Sequence, residues 1–164
     1  MIRYARFHTR LGRMYATAER AAVTGIYFEG GRHAPAPSPR WREAPDDPLL
    51  AECARQLHEF VEGRRREFAL ALAAAGTAFQ RAIWREIARV PFGATLTYAE
   101  LARRAGAPSA IRAAGAATGR NPLSIVVPCH RIVGATGSLT GYAGGLERKV
   151  ALLALESAAA RLAA

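Results

Sequence analysis

Cys129, His130 and Arg131 stand in a row after an apolar run, Ile125-Val126-Val127, with Pro128 between. A thiol is a potential nucleophile, an imidazole a potential base, and a guanidinium a fixed positive charge. Positive charge and hydrogen-bond donors around a cysteine favour the thiolate, which is its reactive form. Proline has no N–H to donate and ends a strand's ladder, so the pattern predicts a rigid apolar strand that presents the thiol where it stops. Adjacent side chains of an extended segment point to opposite sides, so His130 reaches the thiol only through a turn or a bridging water. If His130 is the base, a carboxylate should orient its other nitrogen. Glu156 is the best candidate; Glu147 and Glu100 compete, and spacing alone does not choose among them.

The rest of the 164-residue chain must hold these groups. That length gives one ordinary core or two small lobes, and an apolar content of 51% marks a folded protein. "RYARFH", "GRMYATAE" and "AVTGIYFEG" alternate as strands of a small antiparallel sheet. A loop with five of the nine prolines follows. A helix then starts near Pro48, capped by Asp46 or Asp47, with Cys53 inside it as a small structural residue. "LALAAAGTA" leads into a second lobe. There Thr77 or Gly76 caps a helix whose Phe79, Ile83, Trp84 and Ile87 form one core stripe. "YAELARRAG-APS-AIRAAGAATG" reads as helix, tight turn, helix, the grammar of a helix-turn-helix, and "GLERKVALLALESAAARLA", residues 145–163, reads as a closing helix.

The formal net charge of +10 rests on 22 arginines and a single lysine, Lys149. A GC-rich genome accounts for arginine and alanine together; a polyanion partner accounts for the charge as well. Two cysteines are too few for a disulfide framework or a cysteine metal site. The basic residues at the start interrupt any leader-like run, and no stretch is long enough for a membrane span. An intracellular, reducing, cytoplasmic setting is expected. The second helix of the pair offers Ala113, Ala114 and Gly115 beside one arginine, Arg112, too little to read base edges in a major groove. Small residues either pack helix against helix, with Arg112 in solvent, or let the backbone enter a narrow groove, with Arg112 filling the gap left by an extruded base.

These residues together resemble the methylated-DNA–protein-cysteine methyltransferases, the O6-alkylguanine-DNA alkyltransferase family. "IVVPCHRIVG" resembles its active-site motif, "TYAELARRAGAPSAIRAAGAATGRNP" its helix-turn-helix with arginine finger and asparagine hinge, and "TGYAGGLERK" with "LLALE" its substrate loop and last helix. The likeness covers about residues 76 to 157, and is weaker before that. It implies an α+β fold: residues 1–75 as a ribonuclease-H-like antiparallel sheet with a helix, and residues 76–164 as a mostly helical DNA-binding and active-site domain. It implies Cys129 as alkyl acceptor, a water-bridged relay through His130 to Glu156, Tyr98 as donor toward the guanine, and Asn121 as the brace of the cysteine segment. Pro128, Ile132, Tyr142 and Ala143 would line the base pocket. Arg112, Ala113, Ala114, Gly115, Arg120 and Arg131 would meet DNA. The implied partner is duplex DNA carrying O6-alkylguanine, with O4-alkylthymine a second candidate lesion. The implied protein is a monomer that acts once, at no membrane, with no cofactor and no metal.

Three positions depart from the family's usual pattern. Ala78 stands where a proline is common, Ala151 where a tryptophan is frequent, and Leu155 where a histidine often precedes Glu156. Other readings are a damage-binding relative that holds the lesion with little or no transfer, a Cys129-based hydrolase, and a sequence-specific regulator. The small pocket residues Ser124 and Ala143 point to tolerance of alkyl groups larger than methyl.

Overall fold

The structure, a computed structural model, describes the backbone of residues 1–163 and the side chains of residues 1–159. The chain divides into two compact units, Met1–Ala75 with Pro122–Ser124, and Gly76–Asn121 with Ile125–Ala164. Pro122–Ser124 thus groups with the first unit although it lies far along the sequence.

In that unit β1 (Arg3–Thr9), β2 (Gly12–Glu19) and β3 (Ala22–Phe28) form an antiparallel meander. A two-residue β4 (Arg42–Glu43) lies parallel to β1 and completes the order β3-β2-β1-β4. β4 sits within the proline-rich stretch read as loop; two exposed charged residues carry no strand periodicity. Met14 to Ala18 of the central strand are all buried, and α1 (Pro48–Val61) brings Leu50, Cys53, Leu57 and Phe60 to the core. Asp47 caps α1: its Oδ1 accepts from the N–H groups of Leu49 (3.0 Å) and Leu50 (3.2 Å). Its Oδ2 takes Arg3 Nε at 2.5 Å, which ties the cap to β1. The free edge of β3 is covered by chain on both sides of Gly25, where Val23 N–H donates to Ala71 O and Ile26 N–H to Pro122 O.

The second unit begins with α2 (Ala78–Ala88), started by a capping box in which Thr77 and Gln80 satisfy each other's backbone N–H. Ile83, Trp84 and Ile87 are buried, while Phe79 sits at the edge of the stripe. Trp84 Nε1 donates to Ala117 O of α4 (Ile111–Gly119) at 2.8 Å. A Cβ at Gly76 would lie 2.5 Å from the Trp84 ring, so only glycine admits this approach. Between these helices α3 (Tyr98–Arg104) is capped by Thr97, and the chain after it turns through Gly106 at φ +78°. β5 (Leu96–Thr97) pairs in parallel with β6 (Ile132–Val133), and α5 (Leu146–Ala163) closes the unit.

The apolar run before Pro128 is not a strand. Residues 124–126 form a turn in which Ile125 takes φ +71° while fully buried. A β-branched residue there costs on the order of 1–3 kcal/mol. Burial of its side chain and a bond from Asn121 Nδ2 to Val127 O (2.8 Å) offset that cost. Hydrophobic content marks the segment as buried but does not reveal this conformation.

Candidate active site

Cys129, His130 and Arg131 make up a single 3-10 turn, and β6 leaves directly from it. All three are buried. The turn answers the geometric objection to adjacent side chains cooperating, because a 3-10 turn does not alternate as a strand does. Pro128 is buried just before it, and Cys129 N–H folds back to Val127 O at 2.8 Å.

His130 Nε2 lies 3.0 Å from Glu156 Oε1 on α5. Of the three candidate carboxylates, Glu100 is taken by Arg103 and Arg104 and Glu147 is exposed, so Glu156 is the one brought to the histidine. Leu155 and Ala151 stand on the same helix without displacing it. Burial pushes the His130 pKa down, more than the Glu156 carboxylate raises it, and the ring is held neutral. With Nε2–H donating to the carboxylate, Nδ1 carries the lone pair. Burial alone would raise Glu156, but hydrogen bonds from His130 and Arg131 outweigh it and keep the group anionic.

Arg131 was expected at the DNA surface, and the structure corrects that. Its guanidinium is spent on Glu156, with Nε 2.8 Å and Nη2 2.5 Å from Oε1, and on Val90 O, with Nη1 at 2.6 Å. An arginine this enclosed needs a carboxylate, and Glu156 supplies it. Donors and positive charge around the thiol act in the expected sense, but burial outweighs them. Burial pushes the Cys129 pKa up; the Asn121 side chain, the Lys149 charge and the Tyr142 hydroxyl act the other way without overcoming it. Burial thus favours the neutral thiol over the thiolate.

Tyr98 opens α3, and its hydroxyl donates to Thr140 O at 3.3 Å. Burial raises its pKa, so it stays a phenol that can donate. The α4 backbone comes close here: a Cβ at Gly115 would lie 3.8 Å from the Tyr98 ring. Tyr142 faces the Cys129 sulfur with a buried hydroxyl that, among the described residues, bonds to no oxygen or nitrogen. Ala143 is half-buried beside it, and Ile132 is fully buried in β6. Ser124 belongs to the first unit, its N–H bonded to Ile26 O. On α4, Arg112 and Ala113 are exposed, Gly115 is half-buried, and Arg120, just past the helix, is exposed. Ala114 is fully buried, so it belongs to the packing of the helix pair and not to a surface. One residue escaped notice as chemistry: Lys149, fully buried on α5, with its ammonium at Ile132 O (2.6 Å). Its one sequence signal is compositional, a lone lysine among 22 arginines.

Among the described residues no three histidines, cysteines or acids gather to hold a metal, and no helix is long and apolar enough to cross a membrane.

Two family models match the chain: the ribonuclease-like domain of 6-O-methylguanine DNA methyltransferase over residues 2–74, and its DNA binding domain over residues 78–158. The methylated-DNA–protein-cysteine methyltransferase of Mycolicibacterium paratuberculosis is 40% identical over 156 residues, covering 95% of this chain and 93% of its own. The protein of that name from Methanosarcina acetivorans is 39% identical over 153 residues, covering 93% and 97%. In three dimensions the chain resembles the crystal structure of Mycobacterium tuberculosis OGT in complex with DNA, with a TM-score of 0.88 and 35% identity, over 96% of this chain and 94% of that one.

Proposed function

The chain belongs to the 6-O-methylguanine DNA methyltransferase family, which repairs DNA by transferring an alkyl group to a protein cysteine, and we propose that Cys129 is the cysteine that accepts it. The observation that carries this reading is His130, in the same turn as the thiol, joined to Glu156 at 3.0 Å.

The substrate is duplex DNA carrying O6-alkylguanine, approached through the minor groove by α4. Its exposed Ala113 and half-buried Gly115 let the helix backbone come near. Arg112, exposed at the start of that helix, enters the stack as the damaged base leaves it. The thiol proton passes through a water to His130 Nδ1, and Glu156 stabilises the imidazolium that forms. The thiolate then attacks the alkyl carbon in line. The S–C bond forms, the C–O6 bond breaks, and its electron pair goes to guanine. Tyr98 donates a hydrogen bond to the base as negative charge develops there. One proton returns from the relay to guanine N1, so the thiol proton lost and the N1–H gained balance. The thioether is stable, and a monomer acts once in the reducing interior of the cell, where a free thiol persists.

The test is intact-protein mass spectrometry after incubation with a duplex bearing one O6-methylguanine. A gain of one methyl group per chain, mapped to Cys129 and absent from Cys129→Ser, is the expected result. Tight lesion binding with no mass gain would replace this reading with that of a damage-binding protein.

A further inference from the structure

The ammonium of Lys149 donates to three backbone carbonyls: Ile132 at 2.6 Å, Thr140 at 3.2 Å and Gly141 at 3.2 Å. It lies 5.9 Å from the centroid of the Tyr98 ring, whose hydroxyl donates to that same Thr140 oxygen. One nitrogen thereby joins the strand that leaves the Cys129 turn, the loop that leads to Tyr142, and the tyrosine that faces the base. Among the described residues no carboxylate is bonded to it, so no salt bridge of the kind Arg131 makes cancels its charge.

The side-chain chemistry fits this place narrowly. An ammonium is compact and offers three donors that rotate toward convergent oxygens, whereas a guanidinium is a planar fork suited to a carboxylate. In a chain with 22 arginines, the one lysine stands where three carbonyls converge in a fully buried space. Three convergent carbonyls suit an ammonium better than a planar guanidinium.

Resting on the reading of Cys129 as acceptor, we infer that Lys149 is a positioning residue for alkyl transfer, favouring the thiolate with its buried charge and locking the Thr140–Gly141 segment to the strand that follows the thiol. The titratable groups facing Cys129 are Tyr98 from α3, Tyr142 from the loop and Lys149 from α5, with His130 beside it in the turn. The tyrosines are neutral and burial holds His130 neutral, so Lys149 is the cation of the set. The influence is mutual: the lysine draws the thiol pKa down and the thiolate draws the lysine pKa up, each against the pull of burial. Charges in so enclosed a site act on each other more strongly than in water.

The experiment compares wild type with Lys149→Met, a substitution close in length that removes the charge. The rate of Cys129 carboxamidomethylation by iodoacetamide, mapped by mass, is followed against pH. Methyl transfer from the O6-methylguanine duplex is followed over the same range. The expected result is a thiol midpoint raised by about one unit or more, with transfer at pH 7 about tenfold slower and recovering as pH rises. An unchanged midpoint, with transfer slowed equally at every pH, would show mere support of the fold and overturn the inference. A second measurement needs no variant. Lysine labelled with 15N at Nζ gives one side-chain resonance in this chain, and carboxamidomethylation of Cys129 in the wild type should move it; an unmoved resonance also overturns the inference. Should the wild type take no methyl at Cys129, the acceptor assignment fails by itself, while the midpoint and the resonance still decide the coupling.

Discussion

Arg131 grips both oxygens of Glu156, with Nε 2.8 Å from Oε1 and 3.1 Å from Oε2. His130 meets the same Oε1 from the adjacent position, so two neighbours in sequence share one carboxylate. The arginine keeps the carboxylate charged and fixed, and the carboxylate in turn fixes the histidine's tautomer. A residue whose place in sequence suggests a DNA contact thus acts two bonds deeper, on the relay.

Replacing Arg131 by Met should lower stability by about 3–5 kcal/mol, the cost of leaving a buried charge without its partner. Urea unfolding measures it. Were Arg131 instead a phosphate contact, the variant would keep its unfolding midpoint and lose DNA affinity with a shallower salt dependence.

Acid should destabilise the protein through two groups of one sign. The folded His130 pKa lies below its ordinary 6.5, so its contribution erodes as pH falls below 6.5 and the unfolded chain takes the proton first. Glu156, held below its ordinary 4.5, contributes above that value and is lost as pH falls further through its folded pKa. The melting temperature should therefore fall in two stages below neutrality. In His130→Gln the stage nearer pH 6 should vanish, and its persistence would assign the loss to another group.

Arg112→Ala should slow repair of a duplex lesion about tenfold or more, corresponding to about 1.4 kcal/mol. Reaction with the free base O6-benzylguanine should be nearly unchanged, since no stack needs filling. Equal slowing on both substrates would remove the base-replacing role.

Thr77→Ala should cost about 0.5–2 kcal/mol, the usual value of an N-cap. Calorimetry should show the loss with the transfer rate at 25 °C unaltered, because the cap supports α2 and touches no reacting group.

Much of this architecture was legible in the residues. Asp47 before Pro48, Thr77 before its apolar stripe, and the Gly106 turn are local signals, since each satisfies backbone groups within a few positions. The sheet followed from alternation, and Glu156 was the best of three carboxylates before any distance was known. What stayed hidden depended on contacts far along the chain. The left-handed Ile125 sits in a buried turn that Asn121 ties at Val127, and the inward Arg131 answers to a carboxylate 25 residues away. The raised thiol pKa answers to burial, which a run of charged neighbours in sequence conceals. Lys149 was visible all along as a count of one, but composition carries no address.

The enclosure of that single lysine gives the folded chain an unusual chemical surface. Acylating reagents and imine-forming aldehydes require a solvent-exposed primary amine, and, apart from the α-amino group at Met1, the only lysine presents none while α5 is docked. Opening the structure uncovers it. Acetylation of Lys149 by a water-soluble ester therefore runs as a clock on the opening of the catalytic unit: silent in the intact protein, and advancing at the rate at which the helix comes away.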